Sequence, residues 1–91
     1  MTEIELNKIE KRANDARKGP WKLYIEGRDH FCGSSFIMVY EGTKDELNFE
    51  ITDATIEDYE FIANARQDIP MLIKEIRRLN LVIKSNNGNC K

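Results

Sequence analysis

Apolar residues recur along this chain first at helical, then at alternating, then again at helical spacing, and that succession carries most of what the sequence says about its fold. Thr2 followed three positions later by Glu5 reads as a capping box, and Leu6, Ile9, Ala13 and Ala16 then fall on one helical face. The pattern predicts a first helix over about residues 3–17. Gly19-Pro20 ends it, because glycine accepts the left-handed cap conformation and proline cannot continue the hydrogen-bond ladder.

The period then changes to two. Trp21, Leu23 and Ile25 alternate with Lys22, Tyr24 and Glu26, as in a half-buried strand. After a polar connection over 27–34, a second strand is expected over 35–41. It has Phe36, Met38 and Tyr40 on one face and Ile37 and Val39 on the other. A strand apolar on both faces is either central and covered twice or turned toward another subunit. Beyond the turn Gly42-Thr43-Lys44-Asp45, Leu47, Phe49 and Ile51 alternate with Asn48 and Glu50 as a third strand, which completes an antiparallel meander.

Thr55 and Asp58 open a further helix with a second capping pattern. Tyr59, Phe61, Ile62, Ala63 and Ala65 give it a broad apolar face up to about Arg66. Asp68 has the character of an N-cap, and Pro70 suits a first helical turn, so a separate third helix is expected from that point. Its stripe is Ile69, Leu72, Ile73, Ile76, Leu79 and Ile83, with Lys74, Glu75, Arg77 and Arg78 opposite. The tail from Ser85 offers no apolar anchor and is expected to fray. The reading is one α+β domain over residues 1–84, in the order α-β-β-β-α-α, with a flexible segment over 85–91.

Composition narrows the function. The 91 residues suffice for one modest core. With 41% hydrophobic and 33% charged residues, the chain fits a solvated monomer or an oligomer that buries more surface between subunits. Fourteen Lys and Arg against sixteen Asp and Glu give a net charge of -2, with no basic block to track a long nucleic acid. Cys32 and Cys90 lack the spacing of a zinc knuckle or redox pair and read as free thiols. No apolar run of about 18 residues is present to span a bilayer, and the acidic start does not resemble a signal peptide, which gives a cytoplasmic reading.

The densest reactive segment is Gly27-Arg28-Asp29-His30-Phe31-Cys32-Gly33-Ser34-Ser35. As a metal site it offers Asp29, His30 and Cys32, but neighbours this close in sequence rarely reach one ion, and no second cluster completes the set. As a nucleophile site it offers Cys32 or Ser34 beside His30, without an evident orienting group or oxyanion hole. Neither a metal, a cofactor nor catalysis is expected. As a binding loop it is better equipped: Arg28 can fork onto a phosphate, Ser34 and Ser35 add donors, and the glycines allow close approach. The plain alternative is a solvated hairpin turn.

Trp21 is either a core residue or a stacking plate for a base, and Tyr24 and Tyr40 are the other aromatics at strand positions. Asn64, Arg66, Gln67 and Asp68 read chiefly as helix-end stabilisers. The stripe from Ile69 to Ile83 reads as core or helix pairing rather than a cofactor box; its two heptads are short for an independent coiled coil.

Three runs together carry a family resemblance: Gly19-Pro20-Trp21; Glu26-Gly27-Arg28-Asp29-His30 ahead of Ser34-Ser35-Phe36; and Phe61-Ile62-Ala63-Asn64-Ala65-Arg66 through Asp68-Ile69-Pro70. Over roughly residues 19–80 the chain resembles small tailed-phage accessory proteins of the Ead-like type. It departs from them in carrying Arg17-Lys18 where a Thr-Pro pair is usual. Small phage proteins of this size include sponges that sequester the cyclic nucleotide messengers of bacterial immunity. By that analogy the expectation is a homo-oligomer, dimer or tetramer, that binds a cyclic nucleotide without turning it over. Its pocket would use Trp21, Tyr24, Arg28, His30, Ser34 and Ser35. The alternative is an accessory protein that binds and inhibits or redirects a host protein through the first helix or the exposed face of the last.

Overall fold

The computed structural model describes residues 1–31 and 33–89, the last three as helix backbone only. Helix α1 spans Glu3–Asp15, strands β1, β2 and β3 span Trp21–Tyr24, Phe36–Val39 and Leu47–Phe49, and helix α2 spans Ile56–Asn89. Both expected capping boxes form. Glu5 N donates to Thr2 Oγ1 while Thr2 N donates to Glu5 Oε1, and Asp58 N and Thr55 N make the same exchange with each other's side chains.

The strands form an antiparallel meander in the order β1-β2-β3. Trp21 and Leu23 stand opposite Val39 and Ile37, which in turn face Leu47 and Phe49 across the sheet. These side chains share one face and pack beneath α2, where Ile25, Ile37, Val39, Tyr59 and Ala63 are the buried centre. The strands are shorter than alternation alone suggests. β1 stops at Tyr24 because the next residue's backbone is taken by a turn: Ile25 N donates to Asp29 Oδ2 and Ile25 O accepts from Arg28 N and Asp29 N. β2 stops at Val39 because Tyr40 adopts φ 58°, a left-handed conformation that a strand cannot include.

Tyr59 stitches the far end of the sheet. Its hydroxyl donates to Ser35 O at 3.0 Å and accepts from Ile51 N at 2.9 Å, so a single side chain from α2 satisfies backbone groups on two loops. Helix α1 lies along α2, where Leu6 and Ile73 are both buried. Arg77 clasps the pair, reaching Glu10 at 2.5 Å and Glu3 at 3.6 Å. At the other end Arg66 Nη1 donates to Ala13 O and Arg17 O, closing the carbonyl end of α1 from across the fold.

The expected break at Asp68-Ile69-Pro70 does not occur: the residues assigned to two C-terminal helices form one helix of 34 residues with Pro70 inside it. A cap-like sequence is only a local preference, and here both halves continue the same apolar faces. Ile62 and Ala63 pack under the sheet while Ile73 packs against α1, so splitting the helix would unseat one of them. The helix also continues past Ser85, where the sequence suggested fraying, as far as Asn89. Cys32 and Cys90, read as free thiols, lie outside the described residues. At about 1.5 Å per residue α2 is roughly 50 Å long, which makes the molecule a 63 × 27 × 20 Å rod with a head at one end. Among the described residues no helix is long and apolar enough to cross a membrane.

Candidate functional site

The loop singled out by its chemistry folds as a tight turn under Ile25, with Gly27 at φ 82° and Gly27 N donating to His30 O. Asp29 is its organiser, since Oδ2 accepts from Ile25 N. The Arg28 guanidinium, then that backbone bond, hold its carboxyl below the ordinary range. Arg28 itself forks onto Asp29 and reaches Glu60 of α2 at 2.8 Å. These two carboxylates raise its pKa further, Asp29 more than Glu60. One cation between two anions gives the loop a negative balance, so an incoming phosphate must displace both partners before Arg28 can serve it.

The other expected contacts are likewise occupied within the fold. Ser35 Oγ accepts from Glu26 N at 3.0 Å, and Ser34 Oγ donates to Glu50 at 3.1 Å. Gly33 N donates to Glu26 Oε2. His30 sits edge-on to Phe36 and Tyr24, at centroid distances of 4.9 and 5.9 Å. Its Nε2 is shut off from solvent and has no hydrogen-bond partner among the described residues, with Glu26 Oε2 3.7 Å away.

Tyr24 stacks on Phe36 and donates to Glu41, whose carboxyl is held down chiefly by that bond. Lys22 lies 5.1 Å above the Tyr24 ring, and its pKa is raised by Tyr24 and then by Glu41. Tyr24 and His30 thus cluster with Phe36 on the face away from α2, while Ser34 and Ser35 border a concavity with Tyr59 of α2. This accounts for the two apolar faces of β2: it is central, with α2 on one side and its own aromatic neighbours on the other.

Trp21 belongs elsewhere. It lies on the α2 side, meets Phe49 edge-on at 5.3 Å and donates from Nε1 to Arg17 O. The six expected site residues therefore do not converge: the sheet separates Trp21 from Tyr24 and His30, Ser34 and Ser35 lie beside Tyr59, and Arg28 points toward Glu60 of α2.

Two concavities lie outside that expectation. The first is an apolar groove of about 410 Å³ between the helices, lined by Ile9, Ala13, Trp21, Phe61, Ala65 and Ile69 among others. Phe61 stands 76% exposed at its edge. The second, about 580 Å³, runs past Pro20 and Trp21 to Lys22, Tyr40, Asn64 and Gln67. Gly19 borders it, and a Cβ there would come within 3.1 Å of Arg66 Cγ, so a side chain at this crossing would require Arg66 to give way slightly.

Periodicity marked Phe61 and Ala65 as part of an apolar helix face and Ile69 as core or helix pairing. It could not show that α1 covers one side of α2 and leaves these residues at a groove. Among the described residues no three His, Cys, Asp or Glu side chains converge as a metal site would require. Comparison of the chain with known protein families, with characterised proteins and with solved structures gives no match.

Proposed function

We propose that this chain is a non-catalytic binding protein that engages a protein partner through α2 and the groove beside it. The observation that carries this reading is where the uncovered apolar surface lies. Of the twelve large hydrophobic side chains that are exposed among the described residues, nine are on α2. Phe61 and Ile69 border the 410 Å³ groove, and Leu72, Leu79, Val82 and Ile83 continue along the rod. Contiguous apolar surface of this kind marks a contact with another macromolecule.

Sequestration of a cyclic nucleotide, the reading that the Ead-like resemblance suggests, loses support at the Arg28 loop and gains some at the 580 Å³ cleft. That cleft falls in the size range of small-ligand pockets, about 300–1,000 Å³, and sets Lys22, Asn64 and Gln67 beside two aromatic rings. Tyr40 there holds the strained φ of 58°, and such strain gathers at ligand sites.

A photo-crosslinking residue placed in living cells separates the two. At Phe61 it should yield an adduct of polypeptide mass, and at Lys44, in the turn after β2, none. No adduct at Phe61, together with calorimetric binding of a cyclic dinucleotide that Lys22→Ala abolishes, would replace the protein-partner reading with the messenger one.

A further inference from the structure

We infer that the apolar face of α2 is covered by a second copy of this chain, the two helices forming a parallel, in-register, two-stranded coiled coil from Ile62 to Asn86. This rests on the reading of α2 as a binding surface and names its occupant. Because α2 is continuous through Pro70, the stripe no longer begins at Ile69. It reads Ile62, Ala65, Ile69, Leu72, Ile76, Leu79, Ile83 and Asn86, alternating steps of three and four without a break. In heptad terms every first core position is isoleucine, and the fourth positions are Ala65, Leu72, Leu79 and Asn86. β-Branched residues at the first position with leucine at the fourth select parallel pairs over higher bundles.

Beyond the head most of the stripe is open to a partner, Ile62, Ala65 and Ile76 being half-buried within the chain. Leu72, Leu79 and Ile83 are 60%, 44% and 57% exposed. Of the residues that hold α2 to its own chain, Tyr59, Ala63, Arg66, Ile73 and Arg77 lie on the adjoining side of the helix, while Ile62, at the head end of the stripe, is packed against the core of the head, so a partner along the rest of the stripe need not displace α1. Pro70 falls outside the seam, on the wall of the α1 groove. Among the described residues the furthest ion pair from α2 to another element is that of Arg77, and the segment beyond it borders α1 only at Glu3, in a concavity with Asn80, Leu81 and Lys84. A helix segment of that length does not hold in water by propensity alone.

The charges beside the seam decide direction. In a parallel pair Asp68 and Glu75 flank Ile73 and Asn80 of the other copy, with no like charges opposed. An antiparallel pair overlapping through Leu72 sets Asp68 against Glu75 on one flank, twice over.

The test uses the full chain with Cys32→Ser and Cys90→Ser. Sedimentation velocity at micromolar concentration should give a dimer, and Leu79→Glu, far from the head, should weaken self-association by at least about tenfold while Trp21 fluorescence keeps its folded value. Single cysteines at Leu72→Cys and at Leu79→Cys should each oxidise to a crosslinked dimer. A monomer, a trimer or tetramer, or crosslinks only when the two cysteine variants are mixed, would each overturn the inference. A monomer whose Phe61 crosslinks to a different protein would overturn it while leaving the protein-partner reading intact.

Discussion

The head and the rod of this molecule are made by the same helix but obey different rules. In the head, α2 meets a sheet that fills its apolar face: Ile37 and Val39 are fully buried, and the Tyr59 hydroxyl brought in with them has two or more partners. In the rod the same helix carries isoleucines and leucines into solvent and has neither sheet nor loop to receive them. Burial on folding can account for the head. In the rod α1 covers one side, and the exposed stripe is the surface that the proposed partner would cover.

Substitutions in the two regions should therefore differ in kind, and the largest effect belongs to the head. Ile37→Ala removes the centre of the core and should cost about 2–5 kcal/mol, read as a lower urea midpoint that does not depend on protein concentration. Leu81→Ala, on the outer side of the rod, should change stability by no more than about 0.5 kcal/mol. Equal losses at the two positions would erase the distinction.

Next in size is Tyr59→Phe. Ring packing is kept, but Ile51 N and Ser35 O lose their partner, for an expected loss of about 1–3 kcal/mol. A midpoint equal to that of the parent would mean that the stitch contributes nothing.

The smallest effect concerns acid. Asp29 in the head and Glu10 at the α1–α2 clasp both have folded pKa values below their unfolded ones, set by Arg28 and by Arg77. Such groups stabilise the fold above the unfolded carboxylate range, and the contribution fades as pH falls from about 4 through the folded values. A urea midpoint that declines on acidification, and declines less in Arg77→Gln, is the expected result. A midpoint that rises toward low pH would contradict it.

What could be read in the sequence was local. Thr2 with Glu5 and Thr55 with Asp58 each hold their own helix start, and the alternation of Trp21, Leu23 and Ile25 needs no distant information to specify a strand. The misreading at Asp68-Ile69-Pro70 came from local signals too. Proline is at home in a first helical turn, and only the packing of Ile62 on the sheet and Ile73 on α1 shows why the helix continues. The loop around Arg28 was legible as chemistry but not as geometry, because the residue that occupies its guanidinium, Glu60, lies on another element. Tyr59 was legible as an apolar residue and not as a hydrogen-bonding one. Its partners are backbone groups, which no side-chain pattern records.

Pro70 bears on how the long helix opens. Having no N–H, it leaves the Arg66 carbonyl without its bond four residues on, while Arg66's own side chain is committed to the end of α1. Fraying that starts at the far end of the rod and passes the Arg77 clasp meets a missing rung there, beside the C-terminal end of α1. The turns beyond can exchange their amide hydrogens without loosening the head, so one continuous helix behaves as two units of local unfolding with a boundary set by a single ring.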